Sequence, residues 1–526
     1  MTAVAFARSR PVRVFRLEIR HSPVLWAIPL LAALFLFDAF RTAAGFVPVW
    51  SVRASVITTA MIAEFGPLGA GLAAWVASRE GRRKTGDLLE TTVRPAWARQ
   101  AAALGATLFW LLLAFGIGVA AVYADTARQA TWGGPPVWPV VVGVVEVVTL
   151  AVIGFTAGTL VPGRFTAPLV AIGTFVASLV GFHAALKVKP GSSLSALLSP
   201  ATAVPQGDAG VFYHVAPDVA IVQVMFMGGI SVALLGVLVA RSALYQVSYR
   251  EFFSAVWRAG RWPFAAAAAL LVVGVAASST AFALTGTARL GVSGWNIPAL
   301  HDAASDKPIP YTPDCAGTTF TVCVHPAFSA FLGSATAALQ PVAAEIAGLP
   351  GAPVRAEEVD SGPGYRLGIG TVLLGSASPS ILNGAITGTP PVYEYLADAD
   401  IAPFWGSASI AASGDWRSGF EQEFLTAFAG KPGTFFPTPA QQAVITALMV
   451  AAGAENKATL TLHSASPALA FPQQDDSSGH PVGPSPAQIA AAAVRFGALS
   501  PAARHAWLAA NLPALRAGTI TLAQVP

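Results

Sequence analysis

The sequence predicts a polytopic α-helical membrane protein with a helix-rich α+β domain at its C-terminal end. Three observations support this. Of 526 residues, 54% are hydrophobic and only 11% charged, far too apolar for one soluble domain of that length. Long apolar runs crowd the chain up to Gly286. The basic residues between those runs gather on alternate loops, as expected where Lys and Arg stay on the cytoplasmic side.

A span needs about 20 predominantly apolar residues. Seven segments are candidates: Val24–Phe40, Ala54–Ala77, Ala101–Tyr123, Val137–Val161, Phe165–His183, Val219–Ala240 and Phe264–Thr285. The first is short and contains Pro29. A basic start before an apolar run also describes a secretory signal, but no small-residue cleavage site follows, so the segment reads as a retained helix. Gly66-Pro67, just after Glu64, is expected to kink the second span. Only Pro162-Gly163-Arg164 separates the fourth from the fifth, a tight turn at a membrane surface.

Arg8, Arg10, Arg13, Arg16 and Arg20 precede the first span, and Arg79, Arg82, Arg83, Lys84, Arg94 and Arg99 follow the second. The opposite loops hold only Arg41, Arg53, Arg128, Lys187 and Lys189. This places the N-terminus inside and, after seven spans, the C-terminal part outside. The net charge of +4 therefore hides a basic membrane half and a tail whose acids outnumber its bases, Glu357, Glu358 and Asp360 among them. Topology explains the basic excess, and nucleic acid is not an expected partner.

Arg79–Arg99 reads REGRRKTGDLLETTVRPAWAR between two apolar segments. A helix there would carry a small Leu88–Leu89 ridge on a charged rod. The stretch resembles the first cytoplasmic loop of ABC-2 type transporter permeases. In that family an acid, a glycine-threonine pair, a second acid, two leucines and a proline couple the permease to its ATPase subunit. Glu80, Asp87, Leu88, Leu89 and Pro95 fall roughly on that pattern, with the pair inverted as Thr85-Gly86. The bland alternative is an ordinary basic loop.

Pro11–Ser22 alternates apolar and basic residues and resembles the interfacial elbow helix that opens such permeases. Leu194–Val204 resembles their short re-entrant helices. The likeness covers roughly residues 10 to 242, and the seventh span departs from it. The organisation expected is a tail and elbow over 1–23, a six-span ABC-2-like domain over 24–242 with coupling loop 79–99, a cytoplasmic amphipathic bridge over 243–263, a seventh span over 264–286 and an extracellular domain over 287–526. In that domain VCVHP (Val322–Pro326) and the closing helical stretch look like the tails of actinomycete ABC permeases, a likeness that brings no activity with it.

The resemblance implies a permease subunit of an ABC exporter that moves an amphipathic or hydrophobic substrate. ATP and Mg would sit on a separate ATPase subunit, docked on Arg79–Arg99 with a smaller contact near Arg164. A second permease copy or a related permease would complete the pathway, in contact with membrane lipids. No G-x-x-x-x-G-K-[ST], H-E-x-x-H or G-x-S-x-G string occurs, so neither an ATP site nor catalysis is expected of this chain by itself. The competing class is a membrane sensor or scaffold whose external domain binds a ligand or partner.

Two acids lie inside spans, Glu64 in the second and Glu146 in the fourth. A carboxylate facing lipid is costly, so each should face protein, cavity or water. Each is a candidate substrate or proton contact in the translocation path, or makes a structural hydrogen bond to a neighbouring helix. Asp38 is expected at the outer interface. Cys315 and Cys323 would pair as a disulfide in an oxidising compartment, or stay as two thiols; zinc is disfavoured, because His325 has no second ligand pair at metal spacing.

The tail should fold on its own. Pro326–Ile346, Glu421–Phe428, Ala440–Gly453 and Pro486–Arg495 read as helices, and Pro501–Arg516 as a closing helix pair. Val354–Val359, Tyr365–Leu374 and Thr459–His463 read as strands.

Overall fold

A computed structural model describes residues 15–43, 48–61, 65–83, 96–187, 197, 209–214, 217–245, 262–284, 307–359, 385–395, 415–430, 437–453, 474–475 and 481–526. Lys84–Pro95, Tyr365–Leu374, Thr459–His463 and most of the bridge lie outside the described residues, as does Glu64.

The membrane half begins with α1 (Phe15–His21), set at 61° to α2 (Val24–Ala43). Pro23 interrupts the helix, and the Ser22 hydroxyl accepts the Val24 N–H where α2 starts. The Trp110 indole N–H donates to the Ile19 carbonyl at 2.9 Å and ties α1 to a later helix.

Within the second expected span the described residues form α3 (Trp50–Ala60) and α4 (Gly66–Ala77), with Met61 and Phe65 in π-helical turns on either side of the undescribed 62–64. Pro67 stands in the first turn of α4, where its missing N–H is least costly. Pro29, by contrast, is accommodated within α2.

After α5 (Arg79–Arg83) come α6 (Ala96–Gln129), α7 (Trp138–Leu160) and α8 (Thr166–Lys187). The short α9 (Ala209–Phe212) and β1 (Tyr213–His214) lead into α10 (Asp218–Tyr245), and α11 (Trp262–Leu284) ends this half. With 34 residues, α6 is about 50 Å long and overshoots a hydrocarbon core of about 30 Å.

Phe35 of α2, Phe65 and Phe115 of α6 pack edge-to-face or tilted, with centroids 5.8 to 6.1 Å apart, in the core of the bundle. Glycines let the backbones close in: a Cβ on Gly154 or Gly158 of α7 would collide with the Ala70 or Ala74 carbonyl of α4. The added α11 is held the same way, because Gly274 meets Gly229 and Ala233 of α10 and Ser278 donates to the Phe226 carbonyl at 3.0 Å. Asp38, expected at the outer interface, is buried against the protein.

The tail is built on one mixed sheet. β2 (Lys307–Pro308) pairs with β1 and so joins the tail to the membrane half. β3 (Asp314–Ala316), β4 (Thr321–Val324), β5 (Arg355–Glu358), β7 (Val392–Tyr395) and β6 (Ala385–Thr387) follow in that spatial order. β4, β5 and β7 run parallel, and the two edges are antiparallel. A 3₁₀ turn (Pro326–Phe331) and α12 (Leu332–Ile346) form the β4–β5 crossover.

Pro326–Ile346 is apolar enough to span a membrane by composition. Its buried face of Ala335, Leu339, Val342 and Ile346 is nevertheless spent on the core shared with Val322, Ala356 and Tyr393, so it belongs to the tail. α13 (Asp415–Ala429), α14 (Pro439–Ala451), α15 (Pro486–Ala498) and α16 (Pro501–Arg516) complete that core through Phe424, Phe428, Leu448, Phe496 and Leu512. A small hairpin, β8 (Gln474–Asp475) with β9 (Pro481–Val482), precedes α15. The expected closing helix pair is the single helix α16: Pro513 falls in its last turn, where one lost ladder bond is tolerated.

Excluding Pro326–Ile346, four described helices and the bent α1–α2 pair are long and apolar enough to cross a membrane, with α4 and the first part of α8 as shorter apolar pieces. The chain is thus a polytopic helical protein.

Candidate functional site

Three places in the fold gather residues with something to do. The first is the basic face. α5 is a single helical turn, and it is wedged among three neighbours. Arg79 Nη2 lies 3.6 Å from Glu18 of α1, and Glu80 Oε1 lies 3.6 Å from Arg99 of α6. Arg82 sits 3.5 Å over the Trp75 ring and donates to the Trp75 carbonyl. A Cβ on Gly81 would collide with Pro162, so α5 touches the turn between α7 and α8. Arg164 in that turn is exposed. The two stretches expected to meet an ATPase are therefore adjacent, with α1 beside them. Asp87, Leu88, Leu89 and Pro95 lie outside the described residues.

The second place is inside the bundle. Glu146 on α7 is 2% exposed, and its Oε2 has no hydrogen-bond partner among the described residues. It lines a small space with Val142, Val145, Gln223, Val224, Met227 and Leu197. That space is about large enough for one water. Leu197, from the stretch that resembles a re-entrant helix, is buried there. One turn along α7, Thr149 bonds to Ser231 at 2.9 Å and to the Met227 carbonyl at 3.1 Å.

The third place is the opposite end, where the tail is docked. Val49, Val211 and Phe212, from two connections between spans, belong to the tail's own core cluster. Tyr213 and His214 pair with Pro308 and Lys307. The Thr131 hydroxyl donates to the Pro326 carbonyl at 2.6 Å. His325, at the carboxyl end of β4, is fully buried. Its ring lies against Trp132, Phe212 and Tyr311, with centroids 5.0, 4.8 and 4.2 Å away. Its Nδ1 accepts the Ala327 N–H, and its own backbone N–H donates to Glu358 Oε2 at 2.7 Å. Burial pushes the imidazole pKa down to about 4.

Beneath this dock, Arg53 donates to Asp125 at 2.7 Å and Gln129 at 2.8 Å, while the Tyr123 hydroxyl reaches the Pro136 carbonyl. Arg53 is thus a buried residue of α3, not the loop charge that sequence counting makes it. Its place thirteen residues before the Gly66-Pro67 break gave no sign of this.

No protein-family model, curated protein or solved structure matches this chain.

Cys315 and Cys323 face each other across β3 and β4 and form a disulfide. The described residues contain no cluster of His, Cys, Asp and Glu suited to a metal ion, His325 included. The three places are thus a basic face, a buried acid and the end of the bundle against which the tail packs.

Proposed function

We propose that this chain is the membrane-spanning subunit of an ABC exporter, working with a separate ATPase subunit that carries ATP and Mg. One observation carries the reading. α5, which opens the Arg79–Arg99 stretch expected as the larger ATPase contact, and the Pro162–Arg164 turn expected as the smaller one are packed together with α1 at one end of the bundle. A single soluble partner on that end would push on α1, α4, α6, α7 and α8 at once. The acceptor surface is basic and cytoplasmic, the tail extracellular, and the cargo amphipathic or hydrophobic. A second permease copy, or a related one, completes the pathway.

The docked tail favours one other reading, a sensor whose outer domain relays ligand binding through Trp132 and Phe212. One experiment separates them. The tagged chain is purified from native membranes and assayed for co-purifying ATPase, beside a form with Asp87, Leu88 and Leu89 changed to Ala. Co-purification that the triple change abolishes supports the exporter. Absence of any ATPase, even after crosslinking, sinks it and leaves the sensor.

A further inference from the structure

The polar line around Glu146 has a use that neither reading above supplies. By helical spacing Glu146, Thr149 and Thr156 share one face of α7 (steps of three and seven residues). Gly154 and Gly158 on the other side are committed to α4, so this face is the one turned to α10. There Thr149 and Ser231 are joined, and Gln223 stands across from Glu146. Thr156 is buried, and its hydroxyl, like Glu146 Oε2, has no partner among the described residues.

The surroundings decide what Glu146 can bind. Apart from Gln223, the described residues lining the space are Val142, Val145, Val224, Met227 and Leu197. None of these is cationic, and the space admits about one water, too little for an organic substrate. The charged groups described on elements packed against α7 lie elsewhere. Arg53 of α3 is engaged by Asp125 of α6, Arg99 pairs with Glu80, and Asp218 and Arg241 lie toward the two ends of α10. An unpaired carboxylate in such a place costs several kcal/mol, whereas a protonated carboxyl needs only one hydrogen-bond acceptor.

We propose that Glu146 is a proton-binding site whose occupancy is linked to the packing of α7 against α10. The step is simple: the carboxyl O–H bond breaks, its electron pair stays on the carboxylate, and a water takes the proton. With the proton bound, the interface stays closed over Val145, Val224 and Met227. With it released, the carboxylate requires more water than the one that the space holds, or a cation, and the two helices must part to admit it. The inference does not rest on the exporter reading, and its test involves neither ATPase nor transport.

The test is infrared difference spectroscopy of the purified full-length chain in lipid nanodiscs, comparing neutral with alkaline buffer. The wild type is expected to lose a carboxylic C=O band that is absent from E146Q throughout. E146D should return a band at a shifted frequency. Deuterated buffer should move the wild-type band, because the proton exchanges with solvent. A pH-difference spectrum that is the same in the wild type and E146Q overturns the proposal. Should E146Q fail to fold, E146D decides: an unshifted spectrum overturns the proposal equally.

Discussion

His325 holds a basic ring where no water reaches it. Nδ1 is committed as an acceptor to the Ala327 N–H, so the ring is neutral in the docked tail, with its proton on Nε2 among aromatic faces. A folded pKa of about 4 against about 6.5 in an open chain fixes the sign of its effect. Above the open-chain value both states are neutral and the stability is intact. As pH falls from about 6.5 to about 4, the undocked or unfolded chain takes up a proton that the docked one refuses. The loss grows through that window to something on the order of 3 kcal/mol and is complete below it. The Glu358 carboxylate accepts the His325 backbone N–H, so its own titration must be separated. His325→Asn does this, since Asn caps the same turn without titrating. Melting curves at several pH values should fall less steeply toward acid in His325→Asn than in the wild type. Equal slopes would mean that the ring carries none of the pH dependence.

Among the helices, the crossing of α7 over α4 is the tightest fit, and it depends on side chains that are not there. Gly154 and Gly158 bring α7 onto the Ala70 and Ala74 carbonyls with no room for a Cβ. Gly154→Leu forces overpacking, which typically costs about 1–3 kcal/mol and more where backbone must move. We expect it to lower the folded yield and the melting temperature in detergent. Gly116→Ala and Gly173→Ala, where nothing lies within 4 Å, should be silent. If Gly154→Leu also proved silent, the helices would not approach as described.

This is also the scale at which the sequence was most and least legible. α7 differs by one residue at each end from the Val137–Val161 expected, because a long apolar run between a Pro-rich turn and Pro162 leaves little choice. In the tail, Thr438, Ser485 and Ser500 each precede a proline and cap α14, α15 and α16, a start signal that can be read directly. Among the strands, the one expected over Val354–Val359 is β5 (Arg355–Glu358), although RAEE carries no apolar alternation. Val392–Tyr395 is only four residues long, too short for a period of two to stand out. Which glycine touches which carbonyl, or that Gly81 backs onto Pro162, depends on tertiary packing that one-dimensional spacing does not encode.

At the scale of the whole molecule, the bundle has two differently equipped ends. α5, α1 and the Pro162–Arg164 turn lie at one, and the tail is docked at the other on connections that contain Val49, Trp132 and Phe212. α6 runs between them, from Arg99 beside Glu80 to Asp125 beside Arg53. Any push on α5 therefore has a continuous helical path to the dock. The direction of that path across the membrane can be read with the protein's own chemistry, because the chain has only two cysteines and both are in the tail. In intact cells, a membrane-impermeant maleimide should not label the untreated protein. After an impermeant reductant it should, first at the exposed Cys315 and, once the chain is denatured, at the buried Cys323. Closing a loop of this size contributes about 2–3 kcal/mol in the chain-entropy account, so Cys315→Ser should also lower the melting temperature of the tail. Labelling that appears only after the membrane is permeabilised would put the tail inside. The basic end would then face outward, and an ATPase could not reach α5.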